Sequence, residues 1–526
     1  MRRAPDRDKG LTGQGGPDAA RSAHLTEGDG NRRCGGGVEG VPEEADAGRS
    51  ALHAGLLGKK VDSPRGTLQY QAPPNGFRTF LIIWATQSFS VFGTALTFFA
   101  INIWLSQTLY PLPEQKPALA FALAANGLAF ALPAVFGAPL AGAWADRHDR
   151  KRTMMAMDFA NGCLSLVLVT LLATHSLQLW MLLILSTLYS TFGAFHMSSF
   201  DTSYAMLVPE QQLPRANGMM QTMWSLSNVL SPAMAAILIS VPALARQGLV
   251  PIAALGQLSE GTPLAIGADA ITFFVASLTL LFLRVPSPKR SDLSADGRLQ
   301  TSIWADVKEG ATYIWHRRPL LWLLATFTVT NFAGTPLGIL QPLLVKFNLA
   351  ADWSARGFTF ETALALLGTA MGVGGVLGGF LVSAWGGLET RRVYGVVVPM
   401  IVAAVGQIVF GLSSLLYLSA AMIFVMDGMG PFMNAHSQAI WQTQTPRELQ
   451  GRVFAVRTMI AWVTIPLSTV LAGWAGGVFN PGTVLAVLGG LWALFCVAQL
   501  FNPTLRRVED KAWLDQMAAR AEMEAA

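Results

Sequence analysis

Charge is scarce in this 526-residue chain: Asp, Glu, Lys and Arg make up 13% of it, against about 25% in an average soluble domain. Cysteine is scarcer still. Cys34, Cys163 and Cys496 form no CxxC pair, so neither a disulfide framework nor a metal site is indicated. No GxxxxGK[ST] loop is present to cradle a nucleotide, so ATP drive is disfavoured. HExxH, GxSxG and clustered His/Cys sets are missing too, and neither an enzyme nor a cofactor is called for. The net charge of +5 gathers in short loops between apolar runs, which argues against nucleic acid.

Apolar residues fill the chain instead, at 52%. Twelve runs, at 77–105, 118–145, 153–174, 178–204, 218–241, 262–284, 319–345, 360–385, 393–412, 414–441, 453–478 and 482–502, are each about long enough to cross a hydrocarbon core as a helix of roughly 20 residues. Lipid offers backbone groups no partner, so each crossing must satisfy its own N–H and C=O groups, which helices do. The fold class is therefore an all-α membrane protein of twelve transmembrane helices. Basic residues in the loops set its orientation. Sixteen, among them Arg147, Arg150, Lys151, Arg215, Arg317, Arg391 and Arg452, fall on one side, and four, Lys116, Arg246, Lys346 and Arg356, on the other. That asymmetry places the first set, and both termini, in the cytoplasm.

The spans divide six and six, into lobes at 77–284 and 319–502. Between them a cytosolic linker, 285–318, carries a helix-like segment at 302–316 in which Ile303, Val307, Ala311 and Ile314 recur at helical spacing. It reads as a connector between two bundles. Residues 1–76 hold no apolar run and read as a disordered cytosolic extension, and 503–526 as a cytosolic tail. The lobes repeat each other. GAPLAGAWADRHDRKR from Gly137 aligns with GGFLVSAWGGLETRR from Gly378 at an offset of 241, pairing Leu140 with Leu381, Trp144 with Trp385 and Arg150 with Arg391. Such parallel repeats are one way to build a transporter whose site lies between lobes.

Gly137, Leu140, Asp146, Arg147, Arg150, Lys151 and Arg152 resemble the signature loop between helices 2 and 3 of the major facilitator superfamily. With the twelve spans, the degenerate second copy and the long middle loop, the resemblance covers roughly 77–502. LVPEQQLPRANG from Leu207 and the segment Asp269-Ala270-Ile271-Thr272-Phe273 are similar to the branch holding macrolide-efflux proteins and the enterobactin exporter. It implies two pseudo-symmetric lobes and a cytoplasmic gate at Gly137, Asp146, Arg147, Arg150 and Lys151. In it Asp146 would face the N-terminus of helix 11, where free N–H groups favour an anion. Gly218, Ser227, Ser231, Pro232, Ala235 and Ala236 occupy the frame of the superfamily's helix-5 antiporter pattern, with small residues replacing Gly at four places. A kinked, tightly packed helix 5 is expected.

The superfamily lines its cavity with helices 1, 4, 7 and 10. Their polar residues here are Gln87, Thr94 and Asn102; Tyr189 and His196; Asn331, Thr335 and Gln341; and Asn434, all expected to contact substrate. Asp427 is the acid nearest the middle of a cavity helix, and it is the expected proton-coupling group with His196 as a second relay. Asp158, Asp201 and Asp269 sit nearer helix ends and read as structural. The acid often found partway along helix 1 of related exporters is missing, since the chain reads Val91-Phe92-Gly93-Thr94. The expectation is a monomeric secondary transporter of the bacterial inner membrane, whose partners are a small-molecule substrate, protons and the lipid bilayer. It would export an amphipathic small molecule (a drug, a macrolide-like compound, a siderophore or a peptide natural product). Its rivals are uptake of a solute and a membrane scaffold or sensor.

Overall fold

The computed structural model describes residues 73–209, 212–249, 251–285, 303–446 and 449–525. The expectation of a disordered 1–76 and the first part of the linker fall outside them, apart from 73–76. Among the described residues, twelve helices are long and apolar enough to cross a membrane. They are α1 Gly76–Leu109, α2 Pro113–Phe136, α3 Arg150–Ala173, α4 Leu179–Tyr204, α5 Gly218–Arg246, α6 Thr262–Phe282, α7 Arg318–Phe347, α8 Phe360–Trp385, α9 Arg392–Leu412, α10 Leu416–Gln444, α11 Arg452–Val478 and α12 Pro481–Leu500. Large apolar side chains such as Phe89, Phe159, Phe282 and Leu494 stand exposed. That is the inverse of a soluble protein and what a lipid solvent requires.

The second apolar run departs from the sequence reading. The second run is not one helix to 145: it stops at Phe136, and Ala138–Arg147 continues as a separate segment. Gly137 keeps helical backbone and donates to the Pro133 carbonyl at 2.8 Å, but Pro139 has no N–H with which to continue the ladder, and the helix is interrupted there. The linker helix, Ile303–Trp315, packs on the second lobe. Tyr313 donates to the Gln444 carbonyl at 2.6 Å, and Glu309 pairs with Arg452. The tail is folded as well. Leu505, Val508 and Leu514 are buried in the second lobe's core, Glu509 accepts from the Arg392 amide at 2.9 Å, and Asp515 lies 3.3 Å from Arg317.

Glycine decides how close the helices come. A Cβ at Gly374 or Gly378 would strike the backbone of Phe424 or Gly428, so one face of α8 is pressed on α10. The adjoining face meets the other lobe, with Gly368 against Pro232 and Gly372 against Val229 of α5. These are the small-residue contacts by which helices associate in lipid, where apolar burial drives nothing. Within the helix-5 frame, Ser231 donates to the Phe92 carbonyl of α1 at 3.0 Å, and Ala235 and Ala236 are buried.

The lobes also meet at the end away from the linker. Gly473 and Gly477 of α11 abut Ala124 and Pro117 of α2. Lys116 donates to the Phe479 carbonyl at 2.6 Å, and Lys346 donates to the carbonyls of Ser106 and of Tyr110, the latter at 2.6 Å. Each lysine thus caps carbonyls left free at a helix end of the opposite lobe. Beside them Asp352 accepts from the Leu416 amide at 2.8 Å; Arg356, and then that amide, hold its carboxyl below the usual range. Lys346→Met removes one latch. Its loss is expected to shift the lobes toward separation at this end by roughly tenfold, the low end for hydrogen bonds to a charged group. Spin labels at Leu112→Cys and Ala351→Cys check this, since a longer-distance population should grow in the variant.

Candidate functional site

Between the lobes lies a cavity of ≈ 370 Å³ walled by α1, α2, α5, α7 and α8. Phe98, Phe99, Phe130, Trp224 and Met371 give it an apolar surface, and Thr94, Asn102, Asn228 and Gln341 give it polar points. None of its lining residues is ionisable. A wider cavity of ≈ 980 Å³ opens between α5, α8, α10 and α11 and contains Asp427, Asn434, Gln438 and Arg457. A third, of ≈ 340 Å³, joins Asn331 and Asn434 to Trp441 and Arg457.

The expected substrate residues therefore separate. Thr94, Asn102 and Gln341 line the interlobe cavity, and Asn331 and Asn434 line the second-lobe cavities. Asn331 also donates to the Ala461 carbonyl at 2.9 Å, and Thr335 bonds back to Asn331 of its own helix at 2.7 Å. Gln87, His196 and Tyr189 line neither of the larger cavities. They turn inward, toward acids in the first lobe. Gln87 donates to Asp158 at 3.0 Å, and His196 Nε2 lies 3.3 Å from the same carboxylate, which is 1% exposed.

Asp269, on α6, is fully buried. Its Oδ2 accepts from Thr97 of α1 at 2.7 Å, Tyr189 of α4 at 2.9 Å and Ser165 of α3 at 3.3 Å. Hydrogen bonds to an ionised group contribute about 1.5–3 kcal/mol each, so three are comparable to the several kcal/mol it costs to bury an ion. Its Oδ1 has no partner among the described residues and faces α1 at Gly93, where a Cβ would come within 2.5 Å. The helix-1 turn that lacks an acid is thus the turn against which α6 places one. Asp158 and Asp269 were expected to be structural and near helix ends, yet they are the sealed carboxylates. Asp427 is exposed to its cavity, its Oδ2 lying 2.6 Å from where a Gly375 Cβ would stand.

At the signature loop, the side chains of Asp146 and Arg147 lie outside the described residues, so the expected contact of Asp146 with helix 11 does too. Arg150, 7% exposed, donates to the carbonyls of Ala145 and Thr202, both at 3.2 Å, holding the loop to its own lobe. Lys151 donates to the Leu281 carbonyl of α6 at 3.0 Å. Arg457 was missed by sequence reasoning. It bonds Gln438 at 2.9 Å and lies 5.5 Å from the ring centroids of Trp441 and Phe454; its signal was a cation inside an apolar run.

Two six-helix lobes around an interlobe cavity define a transporter class. The Major Facilitator Superfamily model matches residues 83–469, and the chain belongs to that family. It is 28% identical over 401 residues to macrolide efflux protein A of Streptococcus pyogenes, covering 75% of this chain and 88% of that one. It is 24% identical over 396 residues to the multidrug efflux pump Tap of Mycolicibacterium fortuitum, covering 73% and 87%. The solved POT family transporter PepTSo superimposes with a TM-score of 0.57 at 14% identity, covering 82% and 99%, and shares the fold.

The packing at Gly93 gives a stability prediction. In Gly93→Ala the new methyl meets the Asp269 carboxylate and comes within 3.0 Å of its Cα, a clash costing about 1–3 kcal/mol. Gly267→Ala, with nothing within 4 Å, should instead be neutral or slightly stabilising, since Gly is costly in a helix. Thermal melts of the purified variants check the contrast.

Proposed function

We propose that this chain exports an amphipathic small molecule, macrolide-like in size and polarity, in exchange for protons across a bacterial inner membrane, with linker and termini in the cytoplasm. The interlobe cavity carries this reading. It is large enough for part of a drug-sized solute, aromatic, sparsely polar and uncharged, so it selects for apolar area and a few hydrogen bonds rather than for a charged nutrient. The efflux names of the relatives support the direction. Alternating access would rock the lobes about that cavity, with α5 and α8 sliding on their small-residue faces.

Proton drive is supported by carboxylates held inside the bundle, where taking and releasing a proton is the inexpensive way to change charge. Asp427 opens on the wide linker-side cavity, beside Gly375 and across from Arg457, where cytoplasmic water and solute would both reach it. His196, paired with Asp158, is a second proton-handling candidate. Asp146 and the basic residues beside it would close the cytoplasmic end in the opposite state, Asp146 against helix 11 as the family resemblance implies.

Proteoliposomes supplied externally with radiolabelled macrolide or tetraphenylphosphonium test the reading. A pH gradient should drive accumulation that a protonophore abolishes; accumulation unaffected by the gradient contradicts proton exchange. Asp427→Asn should keep counterflow within about twofold while gradient-driven transport falls by roughly 100-fold, the low end for a positioned proton-transfer group. Retention of both would assign coupling to other residues.

A further inference from the structure

Hydrogens can be counted along one line of side chains in the first lobe. Thr94, on the cavity wall, has its Oγ1 3.0 Å from the Ser90 carbonyl and 3.0 Å from the Tyr189 hydroxyl. The same Tyr189 hydroxyl lies 2.9 Å from Asp269 Oδ2. The line therefore has three links but only two hydroxyl hydrogens, one on Thr94 and one on Tyr189. A carbonyl cannot donate, so the link to Ser90 uses the Thr94 hydrogen. The link between the hydroxyls then uses the Tyr189 hydrogen. The last link must be donated by Asp269, so all three are satisfied together only when that carboxyl carries a proton. When it is ionised, Tyr189 turns to donate to it, and Thr94 must either leave Ser90 to donate to Tyr189 or leave Tyr189 undonated.

We propose that Asp269 is a proton-carrying residue of the transport cycle, loaded and emptied from the interlobe cavity through the hydroxyls of Thr94 and Tyr189. The proposal rests on the reading of the chain as a proton-coupled exporter and adds a carboxylate to it. A proton arriving from the cavity binds the Thr94 oxygen, which passes its own to Tyr189; Tyr189 passes its own to Asp269 Oδ2. The carboxylate becomes a carboxylic acid, both hydroxyls are regenerated with their donor direction reversed, and no other bond is made or broken. The cavity wall thus registers the proton, because Thr94 donates to Ser90 in one state and to Tyr189 in the other. A solute seated against Thr94 would favour one of these arrangements.

The surroundings isolate this carboxyl. Of the helices packed on α6, α1 places no ionisable side chain in its interior and carries Arg78 at its start, while α5 carries Arg246 at its end. On α3, Lys151 sits at the helix start bonded to the far end of α6, Asp158 lies two turns from Ser165 and is engaged with Gln87 and His196, and Cys163 is half-buried. Tyr189 is the ionisable side chain that touches Asp269. Its ring packs edge-on against Phe130 and Phe273, at 5.9 and 5.5 Å, which holds the hydroxyl in line.

The test uses the full chain in lipid nanodiscs and in proteoliposomes. Infrared difference spectra across a pH titration should show a buried carboxyl C=O band that is absent in Asp269→Asn and displaced in frequency in Tyr189→Phe. A purely structural role for Asp269 would leave no titrating band. In liposomes with tetraphenylphosphonium or radiolabelled erythromycin, Asp269→Asn should lose gradient-driven accumulation by about 100-fold, the low end for a positioned proton-transfer group, and Tyr189→Phe and Thr94→Val by about tenfold, less than that because each only passes the proton on. Counterflow by Tyr189→Phe, whose side chain lines neither of the larger cavities, should stay within about twofold of wild type. If wild type itself shows no gradient-driven accumulation of either probe, the exporter reading fails, and the infrared band alone decides whether Asp269 takes a proton through Tyr189. If wild type is driven and Asp269→Asn is driven equally, the proposal is overturned while the exporter reading stands. If Asp269→Asn loses counterflow too, Tyr189→Phe decides: retained counterflow with reduced accumulation supports the relay, and unchanged accumulation overturns it.

Discussion

A carboxylate sealed inside a lipid-embedded bundle must be answered by donors from the helices around it, and much of the first lobe follows from that requirement. Asp269 draws Thr97, Ser165 and Tyr189 toward α6, and so ties α1, α3 and α4 to it. Asp158 does the same one level nearer the linker, with Gln87 and His196. Both arrangements share α1, whose Gln87, Thr94 and Thr97 form a polar stripe facing into the lobe. Gly93 sits in that stripe because a side chain there would occupy the place of the Asp269 carboxylate.

The second lobe is held differently. Buried Gln407 donates to the carbonyls of Ala333 and Leu485 at 3.1 and 3.2 Å, Trp492 donates to Thr330 at 3.0 Å, and the cation Arg457 is answered by a neutral amide, Gln438, at 2.9 Å. Close approach at Gly374, Gly378, Gly411 and Gly482 replaces ionic satisfaction. Its one acid within a cavity helix, Asp427, faces open space. A sequence duplication has therefore diverged into one lobe built around sealed carboxylates and one built on backbone contact, and the interlobe cavity lies where they meet.

The fold was legible because its cause is local: twelve apolar runs, short loops and the repeat at Gly137 and Gly378 each carry their own signal. The site was legible only in part. A step of 100° per residue defines a face of a helix and not the neighbour that face meets. Gln87, Tyr189 and His196 were consequently expected at the cavity and instead answer Asp158 and Asp269. Those acids were judged by distance from a helix end, whereas burial is set by helices remote in sequence. Lys116 and Lys346 counted only as two positive charges on the sparse side. Their role as latches depends on carbonyls more than 200 residues away, which no local pattern reveals.

The central claim is that occupancy of the interlobe cavity and protonation of the bundle's carboxylates are linked. Calorimetry of macrolide binding to the purified protein, in two buffers with different ionisation enthalpies at one pH, measures that linkage without any gradient. The account predicts an apparent binding enthalpy that changes with the buffer in the sense of net proton release. The same enthalpy in both buffers, with binding intact, would contradict it.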